Sequence, residues 1–237
     1  LVLDSFSIKW NNMTRSLRAQ RFLEGNVVTM DTFDVTISGA TATSNGLWSA
    51  NGDASGLYSE VLNFVEGGGS MGFNLSGTTG ASYLENSTAG VQDMSSWLYE
   101  DSSFVYFHIP SGFSSKFTSF NLSRGSSASA YKRVSITTKA DGTAFTDGWN
   151  FLRFDWRAAT TTGVPDDTKN TYRRFGIVTV AGTAIPNCLI DNWTDSLGEL
   201  YELEYYSENL FRTAGGAFIN SPTLDTDLVN VGPGSYQ

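Results

Sequence analysis

The residues with most chemistry to offer lie in one strand-like run, residues 148–156. Strand side chains alternate between two faces. One predicted face is apolar and core-directed, with Leu152, Phe154 and Trp156. The opposite face mixes rings with charges, in Trp149, Phe151, Arg153 and Asp155. Such a face can stack on a pyranose while its polar groups hold the hydroxyls. A strand buried beneath a second sheet has the same pattern, so both interpretations stay open.

Two further rings, Trp97 and Tyr99, precede the acidic pair Glu100-Asp101. A ring beside charged residues is more readily exposed than one inside an apolar strand. Each ring taken alone is more often a core residue than a platform for a ligand. The predicted carbohydrate-binding set is Trp97, Tyr99, Trp149, Arg153 and Asp155.

Catalytic machinery is poorly represented in the sequence. One histidine, His108, and one cysteine, Cys188, exclude a multi-histidine zinc site and a cysteine cluster. His108 lies in an apolar run and is predicted to be structural. Glu202 and Glu204 share a strand face and could do acid–base work, but such a pair more often protects a strand edge from aggregation. The chain is therefore predicted to be no enzyme, with no catalytic residue.

The charge balance restricts the partners. The 237 residues carry a formal net charge of -9, which disfavours binding to nucleic acid or to an anionic membrane. No apolar run reaches the roughly 18 residues of a spanning helix, so no membrane segment is expected.

Short strand-like runs recur about every ten to fifteen residues, with turn residues between them. This spacing predicts an all-β sandwich or barrel. The glycines at 67–69 predict a hairpin turn, because glycine enters positive φ without steric cost. The predicted strands are 27–30, 33–37, 57–65, 70–75, 103–109, 117–123, 131–137, 149–156, 172–181 and 188–193.

Both chain ends differ from this pattern. Residues 1–25 hold apolar side chains at helical spacing and a basic cluster, which predicts a short amphipathic helical arm that either docks an acidic partner or packs on the sandwich. Residues 195–237 begin with an alternating, strand-like run at 201–206 and continue as a polar extension. The residues predicted to make assembly contacts are Phe6, Trp10, Met13, Leu17, Tyr205, Tyr206, Leu210 and Phe211.

A resemblance to known domains is carried by six segments, which are residues 65–73, 93–96, 107–111, 141–150, 162–167 and 190–192. In that order they resemble the concanavalin-like or laminin-G-like jelly rolls, akin to carbohydrate-binding modules, of bacteriophage virion proteins. The segments after residue 204 are similar to extensions on phage structural proteins.

The resemblance implies a jelly-roll β-sandwich over residues 26–194, flanked by the two arms. It implies a phage virion structural protein of the capsid, neck or tail, located in the particle. Such a protein would bind copies of itself and other virion proteins through its arms. The alternative function is a carbohydrate-binding module for host-surface or polysaccharide glycans, and a third is a jelly-roll glycan hydrolase or lyase.

The same resemblance implies an optional structural calcium ion, with no other cofactor required. Calcium prefers about six to eight oxygen ligands. The carboxylates expected to supply them are those of Asp31, Asp34 and Asp191.

Overall fold

The structure, a computed structural model, describes residues 6–11, 16–21, 27–34, 41–43, 45–97, 101–196 and 201–205. The chain divides into two compact units. One is Val27–Gly198, and the other combines Leu1–Asn26 with Glu199–Gln237. The three predicted segments, 1–25, 26–194 and 195–237, are a different division, because the structure groups both chain ends into one unit.

The described residues are almost entirely strands, joined by turns and by four single-turn 3₁₀ helices. In chain order the strands are β1 (Phe6–Asn11), β2 (Ser16–Arg21), β3 (Val27–Asp31), β4 (Thr41–Thr43), β5 (Gly46–Gly52), β6 (Ala54–Glu60), β7 (Ser70–Leu75), β8 (Ala81–Asn86), β9 (Ser102–Ile109), β10 (Phe117–Ser127), β11 (Ala130–Ile136), β12 (Gly148–Asp155), β13 (Thr160–Thr162), β14 (Tyr172–Thr179), β15 (Ile185–Ser196) and β16 (Tyr201–Tyr205). The 3₁₀ helices are Ser95–Trp97, Ser114–Lys116, Trp156–Ala158 and Asp167–Lys169.

Two antiparallel sheets form the unit Val27–Gly198. The seven-stranded sheet has the order β13-β11-β10-β14-β8-β5-β4. The six-stranded sheet has the order β12-β9-β15-β7-β6, and β3 pairs with the last residues of β15. The predicted all-β jelly-roll sandwich is confirmed.

The core lies between these two sheets and follows from strand alternation. Phe107 of β9 packs against rings of the opposite sheet, with centroids 4.6 Å from Phe120 and 5.6 Å from Phe175. Leu152 and Phe154 are fully buried, as their predicted core-directed face requires. Each large apolar side chain buried in this way contributes about 1.5–3 kcal/mol to folding.

A charged cluster is buried among these apolar residues. Arg124 on β10 binds Asp195 at 2.6 Å and Asp101 through two nitrogens, at 2.5 and 2.8 Å. Its guanidinium also lies 4.0 Å from the centre of the Trp156 ring. Because each carboxylate has a charged partner, the cluster avoids the large cost of an unpaired buried charge.

The loop at residues 61–69 replaces the second half of a predicted strand. The strand predicted at 57–65 ends at Glu60, where β6 ends, and antiparallel β7 begins at Ser70. The predicted hairpin therefore exists, with a longer connection than expected. The strand predicted at 33–37 is absent at Phe33 and Asp34, and residues 35–37 lie outside the described part.

The chain ends form a three-stranded antiparallel sheet with the order β1-β2-β16. The helix predicted within residues 1–25 is therefore wrong over both described stretches. The apolar residues of β1 also fit a strand, because Phe6, Ile8 and Trp10 alternate with period two. Pairing with β16 gives the backbone groups of β2 hydrogen-bond partners, whereas an isolated short helix is only marginally stable. The register places Trp10 and Tyr205 opposite Leu17, one on each side. No helix formed by the described residues has the length and apolar character needed to cross a membrane.

Candidate functional site

The predicted sugar-binding face of β12 is present but largely engaged by the protein itself. Trp149 Nε1 donates to Asn63 Oδ1 at 2.9 Å. The neighbouring ring of Phe151 packs on Phe104 and Tyr106, with centroids 5.4 and 4.9 Å away. All the outward side chains of β12 are half-buried. The face is therefore closer to the second interpretation, a strand packed under other residues.

The charged members of the predicted set also have internal partners. Arg153 Nε donates to Ser102 Oγ at 3.3 Å. Asp155 accepts the backbone N–H of Arg157 at 3.0 Å and forms an ion pair with its guanidinium at 2.5 Å. The side-chain hydrogen bond from Arg157 lowers the pKa of Asp155. These contacts close the turn after β12.

Trp97 does not belong to that strand surface. It ends a 3₁₀ helix, where its backbone N–H donates to the backbone oxygen of Met94 at 3.1 Å. Its side chain is half-buried. Tyr99 lies outside the described residues. The structure therefore places Trp149, Arg153 and Asp155 on one face, and their predicted sugar-binding role stays a prediction.

Each of the three predicted calcium ligands accepts hydrogen bonds from the protein. Asp31 accepts from Phe33 N at 2.8 Å, Thr43 Oγ1 at 2.5 Å and Trp48 Nε1 at 2.8 Å. Burial raises the pKa of this carboxyl despite those bonds. The carboxylate of Asp34 accepts from two backbone amides of loop 61–69, at 2.6 and 2.8 Å.

The carboxylate of Asp191 also accepts hydrogen bonds from loop 61–69. Its Oδ2 accepts from Val65 N at 2.6 Å and Glu66 N at 3.0 Å, while Oδ1 is buried without a partner among the described residues. Burial, with a smaller contribution from the Asp34 carboxylate, raises the pKa of Asp191 to about 7. Among the residues that the structure describes, no group of three or more His, Cys, Asp or Glu is placed to hold a metal ion. Calcium binding stays a prediction.

His108 is half-buried, its Nδ1 has no hydrogen-bond partner among the described residues, and its structural role stays a prediction. Its ring meets Trp149 edge-on with a centroid distance of 5.3 Å, and burial lowers its pKa.

Of the predicted assembly residues, Phe6, Trp10, Leu17 and Tyr205 lie on the three-stranded sheet of the chain ends. The other four, Met13, Tyr206, Leu210 and Phe211, lie outside the described residues.

A different surface offers a better binding site. The outer face of the seven-stranded sheet holds a cleft of about 250 Å³, here called the outer cleft. Strands β8, β14, β10 and β11 form its floor. The outward residues that line it include Ala81, Tyr83, Asn121, Ser123, Arg133, Arg174, Gly176 and Val178.

Strand register explains why this face is concave. Three rows of residues cross the sheet from β11 through β10 to β14, and two of them continue onto β8. Strand β10 carries a short or medium-sized residue in each row, namely Gly125, Ser123 and Asn121, and longer side chains of β11, β14 and β8 stand around them. The rows are Tyr131–Gly125–Tyr172, Arg133–Ser123–Arg174–Glu85 and Ser135–Asn121–Gly176–Tyr83.

Internal contacts hold the walls of the outer cleft in place. The guanidinium of Arg174 lies 3.5 Å from the centre of the Tyr83 ring. On the same face, beside the residues that line the outer cleft, Tyr131 packs against Tyr172 with ring centroids 5.6 Å apart. The Tyr172 hydroxyl donates to Glu85 Oε2 at 2.8 Å, and burial and this carboxylate raise the pKa of Tyr172. The walls are therefore ordered before any ligand arrives.

The chemistry of the outer cleft is that of binding. Rings, guanidinium groups, an amide and a hydroxyl can hold a polar ligand with apolar patches. The described residues that line it include no His, Cys, Asp or Glu. General acid–base catalysis usually needs one of these groups within reach of the reacting atoms.

The sequence interpretation missed this site, although part of its signal was present. Arg133 and Arg174 flank Val134 and Phe175 in strands that were predicted, so alternation alone places both arginines outward. Strand β8, which supplies Tyr83, was not predicted. Neither were β4, β5 and β13, so the order of the sheet could not be inferred.

No protein-family model and no curated protein sequence matches the chain. Among solved structures, it is similar to the family 11 carbohydrate-binding module of a cellulosomal cellulase of Clostridium thermocellum. That match has 12% identity and a TM-score of 0.46, and covers 72% of this chain and 94% of that one. A family 30 carbohydrate-binding module matches at 12% identity and a TM-score of 0.47, covering 72% and 98%. An exo-β-agarase matches at 11% identity and a TM-score of 0.47, covering 72% of this chain and 25% of that one. These likenesses decide nothing about the ligand of this chain.

Proposed function

We propose that the unit Val27–Gly198 is a non-catalytic carbohydrate-binding module whose ligand lies in the outer cleft. The observation that carries the proposal is the arrangement of the three cross-strand rows. Ser123, Asn121 and Gly176 lie at the base of the outer cleft, and the Tyr83 ring and the guanidinium groups of Arg133 and Arg174 line it.

A sugar has the complementary chemistry. Its C–H faces pack on aromatic rings, and its hydroxyls accept and donate hydrogen bonds. Tyr131, which is half-buried on the same outer face, supplies such a ring. Asn121, which is half-buried, supplies a polar amide group at the base of the outer cleft. A rigid, preorganised site of this kind binds without ordering its side chains at the moment of contact.

Carbohydrate binding was the alternative function predicted from the sequence, and the main prediction was a structural role in a phage particle. Assembly as a phage virion protein, with partners bound through the chain ends, stays a prediction. The glycan-hydrolase alternative depends on Glu202 and Glu204, which lie on β16 in the other unit. The outer cleft does not include them.

Affinity gel electrophoresis of the full chain tests the proposal directly. The protein is run through gels that contain soluble neutral or acidic polysaccharides, alongside a non-binding protein. Retardation by at least one polysaccharide, without release of reducing ends, is the expected result. Migration unchanged in every gel would overturn the proposal, and release of reducing ends would overturn its non-catalytic part.

A further inference from the structure

We infer that the outer cleft selects glycans that carry acidic groups, either carboxylate or sulfate, and that Arg133 and Arg174 bind these groups. This inference rests on the proposed function and names the ligand class of the same site. It is carried by the placement of two guanidinium groups on one floor.

The two arginines lie on either side of one small residue. Arg133 on β11 and Arg174 on β14 are both register partners of Ser123 on β10. Two strand spacings separate them, so their backbones are about 10 Å apart. Ser123 itself is short and only 1% exposed, so longer side chains around it form the surface between the two strands. A pyranose ring with one anionic substituent fits such a span.

The two arginines differ in their exposure and in their contacts within the protein. Arg133 is exposed, and no ion pair joins it to a carboxylate within the described part of the chain. Arg174 lies over the Tyr83 ring, which fixes the plane of its guanidinium. A fixed, planar guanidinium can make the paired hydrogen bonds that carboxylate and sulfate groups accept. Arg133 then adds a second, adaptable cation.

The surrounding charges favour the same ligand. The chain has 15 basic and 24 acidic residues, yet the described residues lining the outer cleft include two arginines and no carboxylate. The nearest acidic register partner, Glu85 opposite Arg174, accepts a hydrogen bond from the Tyr172 hydroxyl. Covering two guanidinium groups with a neutral ligand loses hydration without supplying a counter-charge.

The test uses matched polysaccharides that differ only in charge. Polygalacturonate is compared with its methyl ester for the carboxylate arm, and dextran sulfate with dextran for the sulfate arm. Alginate, hyaluronate, β-glucan, xylan and single-stranded DNA complete the panel. Affinity electrophoresis of the full chain identifies the retained polymers, and isothermal titration calorimetry gives Kd.

Variants connect any binding to the two arginines. Arg133→Gln and Arg174→Gln are compared with Lys169→Gln, which removes a charge at a 72% exposed side chain away from the outer cleft. Since hydrogen bonds to charged groups contribute about 1.5–3 kcal/mol, each arginine variant is expected to bind an acidic glycan at least about tenfold more weakly. The Lys169 variant is expected to bind like the wild type. Thermal unfolding of each variant checks that it is folded.

The outcomes separate this inference from the proposed function. Retention by an acidic polymer, but not by its neutral counterpart, together with loss in both arginine variants supports the inference. Retention by a neutral polysaccharide that Arg133→Gln leaves unchanged overturns it, while the proposed function survives. Equal retention by single-stranded DNA also overturns it, because any polyanion would then do. No retention by any polysaccharide overturns the proposed function as well.

Discussion

The guanidinium of Arg174 lies 3.5 Å from the centre of the Tyr83 ring on the outer face of the seven-stranded sheet. The two residues are on neighbouring strands, β14 and β8, two positions apart in register. The ring supports the guanidinium from the β8 side of β14. The contact therefore links the fold of the sheet to the recognition of a ligand.

Removing the ring is expected to weaken binding through Arg174. Cation–π contacts at exposed sites are worth about 0.5–1 kcal/mol, so Tyr83→Ala should raise Kd for a retained polysaccharide about two- to fivefold. Tyr83→Phe keeps the ring and should bind like the wild type. Calorimetric titration of both variants measures this. An equal loss in the phenylalanine variant would show that the hydroxyl matters and the stacking does not.

The sequence predicted the fold class because the inward side chains of most strands are large and apolar. On β12 the alternation of Leu152 and Phe154 with Arg153 is unmistakable, and burial follows it. The strands that were missed are different. In β5 and β8 a short apolar stretch is surrounded by small and polar residues, and small and polar residues are also typical of turns. The terminal strand β1 has apolar residues that fit both helical and strand periods, and its partners decide between them.

The site was harder to predict than the fold, for a topological reason. Tyr83, Ser123 and Arg174 are brought together by β8, β10 and β14, which are neighbours in the sheet but distant in sequence. Alternation predicts which way a side chain points, and it does not predict which strands are neighbours. The β12 face was attractive because its aromatic residues are adjacent in sequence. Asn63, from the loop 61–69, accepts the hydrogen bond of Trp149 there, and no local pattern indicates this.

The buried cluster around Arg124 should dominate the stability of the sandwich. Arg124→Met leaves the carboxylates of Asp101 and Asp195 buried without their cation, and breaking such a pair costs about 3–5 kcal/mol. The matched control is Arg157→Met, since Arg157 forms an ion pair with Asp155 while its side chain is 66% exposed. An exposed pair contributes about 0–1 kcal/mol. Urea unfolding of both variants gives the free energies, and a loss at Arg124 no larger than the control would contradict this account.

The raised pKa of Asp191 should make stability fall as pH rises. The unfolded carboxyl titrates near its ordinary value of 3.8, whereas the folded one, raised mainly by burial, titrates at about 7. Its contribution is therefore fully present below pH 3.8 and is lost as pH rises toward 7. At about 1.4 kcal/mol per pKa unit, the loss reaches up to about 4 kcal/mol.

The variant Asp191→Asn isolates this contribution. It cannot ionise, and its Oδ1 can still accept the amides of Val65 and Glu66. Urea unfolding at pH 5 and pH 8 should show that the wild type loses more stability than the variant between the two pH values. Parallel pH dependences in the two proteins would mean that Asp191 does not titrate in this range.

The most direct test of the outer cleft as the binding site fills its floor. Gly176 has no positive φ, and a Cβ there would meet the side chain of Asn121 at 3.2 and 3.4 Å. Gly176→Leu therefore needs a small shift of the Asn121 side chain, and the leucine side chain should then occupy the outer cleft. Thermal unfolding checks that the variant is folded. Gly90→Leu is the matched control, because a Cβ at Gly90 meets nothing within 4 Å and the residue does not line the outer cleft. The measurement is the calorimetric Kd of the two folded variants for a polysaccharide that retains the wild type. Binding abolished in Gly176→Leu and unchanged in Gly90→Leu is the predicted result, and wild-type affinity in Gly176→Leu would contradict the account.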